Sequence, residues 1–361
     1  MLAIKKTFQK YILGMQPGMF RLFLASLVVL YHAFKSFPFG MFAVYTFFIL
    51  SGYWVSKMYD EFYSQKRNGL LLFLYSRVLR LFPLYLLCTA IMLLVQKFYI
   101  EPYHHEYLLN NIGLKEYSYL LLMLPLNALD FQLLVPAWSL AVEMQFYILA
   151  PLLLWAMRKT NTALLFAIAL IVSVCAICAT GFRYNNLQAY ICYFISGMFI
   201  YRNALQFSAK TIKATILIIG CIIAACYALP ILRNNVLNEE AHYGAFYYCQ
   251  LLNHLLPFLF VPFITHNLRQ KSTKADRVYG DFSYTIYLVH WSVIAVYNRL
   301  YAFSGFSLFR LGYIAAALAL IVLLSLAVYW WFEKPVEAFR KKVVARMSEA
   351  EPQSKIKIAT A

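Results

Sequence analysis

The sequence predicts an all-α integral membrane protein, a bundle of about ten transmembrane helices with the N- and C-termini in the cytoplasm. Two observations predict the class. Of 361 residues, 63% are hydrophobic and 13% charged, where an ordinary soluble domain carries about a quarter charged. At roughly 20 apolar residues per crossing, the apolar runs fill almost the whole chain and leave no length for a soluble domain. A third observation, the placement of charge, orients the bundle.

The runs lie near 19–36, 40–56, 81–98, 138–157, 163–180, 186–201, 212–229, 246–264, 283–301 and 310–332. An even number places both ends of the chain on one side. With the N-terminus inside, most of the 32 lysines and arginines fall in or beside cytoplasmic links, the bias that sets orientation in membrane proteins. The formal charge of +17 is therefore a topology signal. A nucleic-acid binder gathers its charge on one face of a soluble fold, so nucleic acid is excluded as a partner and membrane lipid is expected. No cleavable signal peptide is evident, since Lys5, Lys6 and Lys10 precede the first run without a small-residue cleavage site.

The piece from Tyr117 to Leu129 (YSYLLLMLPLNAL) is too short to cross, contains Pro125, and would reverse every later link if it did. It reads as a re-entrant or interfacial segment near 117–129, sheltered by protein or a wet cavity. The outer loop around it, roughly 99–137, carries Glu101, His104, His105, Glu106, Glu116 and Asp130. Neighbouring side chains such as His104 to Glu106 do not converge on an ion, and no metal is expected. The seven cysteines read as small hydrophobes inside apolar runs. Residues 1–340 form one transmembrane domain, and 341–361 read as a basic, disordered cytoplasmic tail.

Against this background a few polar residues stand out. Arg21 and His32 share a helical face because eleven residues make three turns, and the histidine lies about 16 Å further along the axis. An ionisable group within a span is costly and marks a functional site by default, and histidine is the commonest general base. Arg21 also suits a snorkelling anchor. Arg77 and Arg80, three apart at the inner mouth of the third span, suit either a phosphate clamp or topology. Glu143 lies at a depth close to that of His32, where a carboxylate orients an imidazole or ties two helices together. Ser283, Tyr287 and His290 fall on one face, and Glu333 ends the last span near basic residues. Arg77 with Arg80, and Ser283 with Tyr287 and His290, fit a site or a structural role equally well, whereas His32 is harder to explain by structure alone.

Six motifs occur in order: Arg21 with His32 after ten intervening residues; FFILSGYW, Phe47 to Trp54; RVLRLFPLY around Arg77 and Arg80; WSLAVEMQFYILAP, Trp138 to Pro151; SYTIYLVHW, Ser283 to Trp291; and FEKP at 332–335. Together they resemble the acyltransferase-3 family of membrane proteins over residues 17 to 340. The resemblance implies transfer of an acyl group, acetyl by default, from cytoplasmic acetyl-CoA or another acyl-CoA to a hydroxyl of a surface or secreted glycan. A lipid-linked acceptor and polysaccharide assembly proteins are implied partners, and the bacterial inner membrane the location. It further implies that His32 is the essential base, that Arg21 supports it or the donor, that Arg77 and Arg80 face the CoA phosphates, and that Ser51 and Gly52 shape the donor path. Trp138, with Tyr287, His290 and Glu333, belongs to a substrate or structural cluster. The rival reading is a proton-coupled carrier or flippase with Arg21, His32 and Glu143 as its relay. That reading predicts inverted repeats with broken helices, and the sequence has no such pairing.

Overall fold

A computed structural model describes residues 12–34, 37–104, 109, 112–124, 126, 129, 131–182, 186–237, 243–300 and 308–349. Among these residues there is no strand. The principal helices are α1 Pro17–Ala33, α2 Gly40–Glu61, α3 Gly69–Val95, α4 Leu114–Leu122, α5 Ala137–Lys159, α6 Thr162–Thr180, α7 Leu187–Arg202, α8 Ala209–Ala228, α9 Tyr243–Leu259, α10 Val261–Leu268, α11 Lys274–Leu300, α12 Leu308–Val328 and α13 Lys334–Glu349.

Every predicted run falls on one of these helices, except that 246–264 is divided between α9 and α10. On length and composition alone, five segments among the described residues can cross a membrane: Gly69–Ile100, Ala137–Lys159, Thr162–Thr180, Ala209–Ala228 and Leu311–Ser348. The bent pair α9–α10, turned by 46°, makes a sixth. Pro257 inside α9 and Pro262 at the start of α10 remove backbone donors and explain the bend. The chain is a multi-pass membrane protein.

The division between strongly and weakly apolar helices follows position in the bundle. Helix α6 buries only Ala169 and Ser173; its remaining surface faces outward and is apolar all round, as lipid demands. Helices α2 and α7 bury most of their residues against protein and tolerate aromatic and hydroxyl side chains. Their crossing is close because Gly52 and Gly197 are present. A Cβ on Gly52 would sit 2.0 Å from the Phe194 carbonyl oxygen, and one on Gly197 would sit 2.0 Å from that of Ile49. Small residues at such crossings let helix backbones approach. Valine at Gly52 or Gly197 is therefore expected to cost about 1–3 kcal/mol or more by overpacking, seen as loss of monodisperse protein and a lower Tm in detergent. Valine at Gly220, where a Cβ meets nothing within 4 Å, is the matched control and should leave both unchanged.

Three expectations need correction. Helix α3 begins at Gly69 rather than near 81, so Arg77 and Arg80 lie two to three turns within a helix and not at its mouth. Helix α13 runs through 341–349, where a disordered tail was expected. It is held by Val344, buried against the main core, and by Glu337 paired with Arg340 and Lys341 one turn on, the spacing at which helical side chains meet. Of the seven cysteines, all free, Cys175, Cys178 and Cys221 are exposed on the bundle surface instead of packed within it.

The segment near 117–129 forms α4, only nine residues long, which ends at Met123 with φ +62°. Met123 is fully buried and the Tyr85 hydroxyl donates to the Leu120 carbonyl, so this short piece is anchored to protein. Pro125 and Asp130, His105 and Glu106, and the side chain of His104 lie outside the described residues.

Candidate active site

A cavity of about 830 Å³ opens at the end of the bundle where α1 and α11 begin and α2 ends. Eight basic side chains reach its wall: Arg21, Lys57, Arg77, Arg80, Arg269, Arg277, Arg340 and Lys341. Only two carboxylates, Glu143 and Asp281, accompany them. So strong an excess of cations around one concavity focuses potential onto an anion.

The first wall is set by an interaction absent from any local motif. Asp276, buried near the start of α11, accepts hydrogen bonds from the backbone of Gly18 (2.9 Å) and Met19 (2.8 Å). Its carboxylate thus caps the first turn of α1 from 258 residues away, satisfying orphan donors and complementing the helix dipole. Ser272 donates to the same carboxylate at 2.6 Å. Gly18 leaves no room for a side chain, since its Cβ would lie 1.7 Å from the Asp276 carbonyl oxygen. One turn on, Arg21 enters the cavity with its guanidinium carbon 5.7 Å from the Trp54 ring centroid, a cation–π distance. Asp276→Ala should destabilise the protein by about 1–3 kcal/mol for each orphaned donor. Asp276→Asn, which keeps an acceptor, should lose less; thermal unfolding in detergent compares them.

Arg77 lies over two rings, with its guanidinium carbon 5.3 Å from Phe73 and 5.4 Å from Tyr147. Its buried Nε has no hydrogen-bond partner among the described residues. Arg80 is within electrostatic reach of Glu337, Asp281 and Glu333. Arg340 grips Glu337 with two hydrogen bonds of 2.7 and 2.6 Å and donates to Ser76 Oγ at 2.7 Å. Glu333 itself is buried in the π-helical turn Tyr329–Glu333 that joins α12 to α13.

Deeper in the cavity, Glu143 accepts from Ser51 Oγ at 2.7 Å and from the Tyr147 hydroxyl. This carboxylate was expected beside His32, and its bonds lie elsewhere. The carboxylate lines the cavity together with Arg21 and within electrostatic reach of it, whereas His32 is absent from that wall: α1 packs on α11 and α2, while α5 packs on α2, α3 and α7. Gly52 is used by the α2–α7 crossing and is absent from the cavity wall, whereas Ser51 is part of it. Trp138 is buried, with Tyr190 at 5.4 Å between ring centroids.

His32 is half-buried, and its ring neighbours are Tyr31 at 5.0 Å, Trp291 at 5.2 Å and His290 at 5.3 Å. Neither histidine belongs to the cavity wall. Tyr287 does, and its ring stands 6.2 Å from that of His290. The Tyr287 hydroxyl is bonded to Ser139 Oγ at 2.7 Å and to the Pro136 carbonyl at 3.3 Å. The cavity therefore ends on a hydrogen-bonded tyrosine whose far side meets the histidine pair.

Of the residues singled out in the sequence, Arg21, Arg77, Arg80, Ser51, Glu143, Ser283 and Tyr287 line this cavity, and the structure brings His32 and His290, not paired in the sequence reading, to one another. Sequence reasoning missed Asp276, Tyr147, Trp54, Arg340 and Lys341. Asp276 carried a signal, one of two acids in a link that is otherwise basic, but nothing in the sequence named its partner. Tyr147 stands one turn after Glu143, within hydrogen-bond reach on a helix, and could have been found by that spacing.

No curated protein matches this chain and no solved structure matches it. The sequence model of the family described as an acyltransferase domain, acyltransferase-3, matches residues 18–330. That span contains α2 to α12 and all of α1 but its first residue, with most helices of the cavity, both histidines and five of the six ordered motifs in full. A cation-lined cavity within a multi-pass bundle suits a membrane acyltransferase, and the chain belongs to the acyltransferase-3 family.

Proposed function

We propose that this membrane acyltransferase takes an acetyl group from cytoplasmic acetyl-CoA and passes it to a hydroxyl of a surface or secreted glycan, acting from the bacterial inner membrane. The observation that carries the reading is the juxtaposition of a cavity lined by eight basic side chains with a histidine pair beyond its closed end. CoA is a polyanion with a thin, uncharged arm. Its phosphates match Arg77, Arg80 and their neighbours, and the arm matches the narrowing path past Ser51 and Tyr287. About 16 Å of helical rise separates Arg21 from His32, a distance suited to that arm. The bias of basic residues supports a cavity mouth on the cytoplasmic side of a bundle of about ten spans with both termini inside.

In this reading the acceptor hydroxyl oxygen attacks the thioester carbonyl carbon while His32 takes the hydroxyl proton. A C–O bond forms, the C–S bond breaks, and the departing CoA sulfur recovers the proton from His32. Glu143, held by Ser51 and Tyr147, shapes the donor path rather than the base. A glycan acceptor, lipid-linked or polymeric, meets the site from the opposite side, where assembly proteins have access.

Proteoliposomes loaded with acetyl-CoA carrying a labelled acetyl group test the proposal. The expected result is thioester loss inside the vesicles and label on envelope glycan supplied outside. Substrate movement across the bilayer without thioester cleavage would overturn it in favour of a carrier. Mass spectrometry of surface glycans from cells with and without the protein then identifies the acceptor by the mass of the added acyl group.

A further inference from the structure

His290 sits in the middle of α11 and is completely buried. Its Nδ1 lies 3.1 Å from the carbonyl oxygen of Ile286. A carbonyl only accepts, so Nδ1 carries the proton of a neutral ring and Nε2 is left as a bare acceptor. A second proton on Nε2 would create a buried cation with no carboxylate bonded to it, which is costly. Yet Nε2 has no hydrogen-bond partner among the described residues. Buried polar atoms without partners are rare in folded proteins, and each calls for an explanation.

The neighbour able to supply the missing donor is His32, whose ring centroid is 5.3 Å away with the planes inclined by 31°. With a nitrogen-to-nitrogen bond of about 2.9 Å, two imidazoles reach this separation when an N–H of one faces the bare nitrogen of the other. His32 is only half-buried and can turn its ring to do so. Trp291, at 5.2 Å, bounds that motion from another side, and its indole N–H is committed to the Leu133 carbonyl at 3.2 Å.

Resting on the reading of His32 as base, we propose that His290 is its positioning residue, accepting the N–H of His32 on Nε2 and so fixing which His32 nitrogen is free to take the substrate proton. The role is the one a carboxylate plays beside a catalytic histidine, filled here by a neutral imidazole whose tautomer the Ile286 carbonyl selects. Glu143 is unavailable for it, being bonded to Ser51 and Tyr147. A neutral acceptor also avoids placing a second charge in the bundle interior.

The test uses the full-length protein in envelope vesicles, with CoA thiol release from acetyl-CoA as the readout. His290→Phe keeps the ring volume and removes the acceptor. His290→Gln places an amide oxygen close to the position of Nε2. His290→Phe should lower kcat by about 10- to 100-fold, the range found when groups that orient a functional histidine are removed. KM for acetyl-CoA should not change, and His290→Gln should recover a large part of the rate. A merely structural histidine gives no such recovery. Equal losses in both variants, accompanied by equal losses of Tm, would overturn the proposal, as would a His290→Phe enzyme at the wild-type rate. His32→Ala run in parallel separates the two ideas. An inactive His32→Ala beside a fully active His290→Phe sinks only the positioning role, whereas a fully active His32→Ala sinks both.

Discussion

Replacing His32 with alanine should lower acyl transfer by about 10²- to 10⁴-fold, the contribution of a positioned general base. The protein should remain folded, because the imidazole is only half-buried and its ring contacts are Tyr31, His290 and Trp291. Loss of those contacts costs packing at one end of α1, while the crossing at Gly18 and the cap from Asp276 hold the other end. The effect should fall on kcat, with KM for acetyl-CoA little changed, since the cations expected to bind the donor lie at the opposite end of the helix. Initial rates in proteoliposomes, normalised to protein recovered as a monodisperse peak, measure it. Transfer at the wild-type rate by a folded His32→Ala protein would remove the assignment.

The second large effect is expected at the arginines of α3. Hydrogen bonds to charged groups are worth about 1.5–3 kcal/mol each, so Arg77→Ala or Arg80→Ala should raise KM for acetyl-CoA by roughly 10- to 150-fold while kcat changes less. Lysine should not restore Arg77. The Arg77 guanidinium lies over Phe73 and Tyr147 with an unpartnered Nε, and an ammonium reproduces neither the planar stacking nor the fork of donors. Comparing acetyl-CoA with its 3′-dephospho analogue identifies which arginine meets the 3′-phosphate, because that variant loses the preference between the two donors. If the arginines serve topology alone, KM stays constant and the protease accessibility of the flanking links changes instead.

These expectations draw unequally on sequence and structure. The helical, multi-pass character was legible because burying backbone in lipid demands continuous helix, and helix in lipid demands apolar side chains. Spacing along a single helix was equally legible, since rise and turn per residue are constant; on that basis Arg21 and His32 were placed on one face, about 16 Å apart. How one helix is placed and turned against another was not. Glu143 was read at a depth close to that of His32, yet it bonds Ser51 and Tyr147 in the cavity wall that Arg21 shares, because α2, packed against both α1 and α5, sets which faces meet. Helix ends were misjudged where amphipathic continuation replaced the lipid signal, at Gly69 and beyond 340.

By itself, then, the sequence determined that this protein is a helical membrane bundle, which family it resembles and which ionisable residues lie at depth, because those follow from composition, order and axial rise. Only the tertiary structure decided that Asp276 caps α1, that Gly52 serves a helix crossing, and that His290, not Glu143, stands beside His32. Each of those is a contact between residues far apart in the chain, and such contacts depend on helix azimuth and packing, which no linear spacing records.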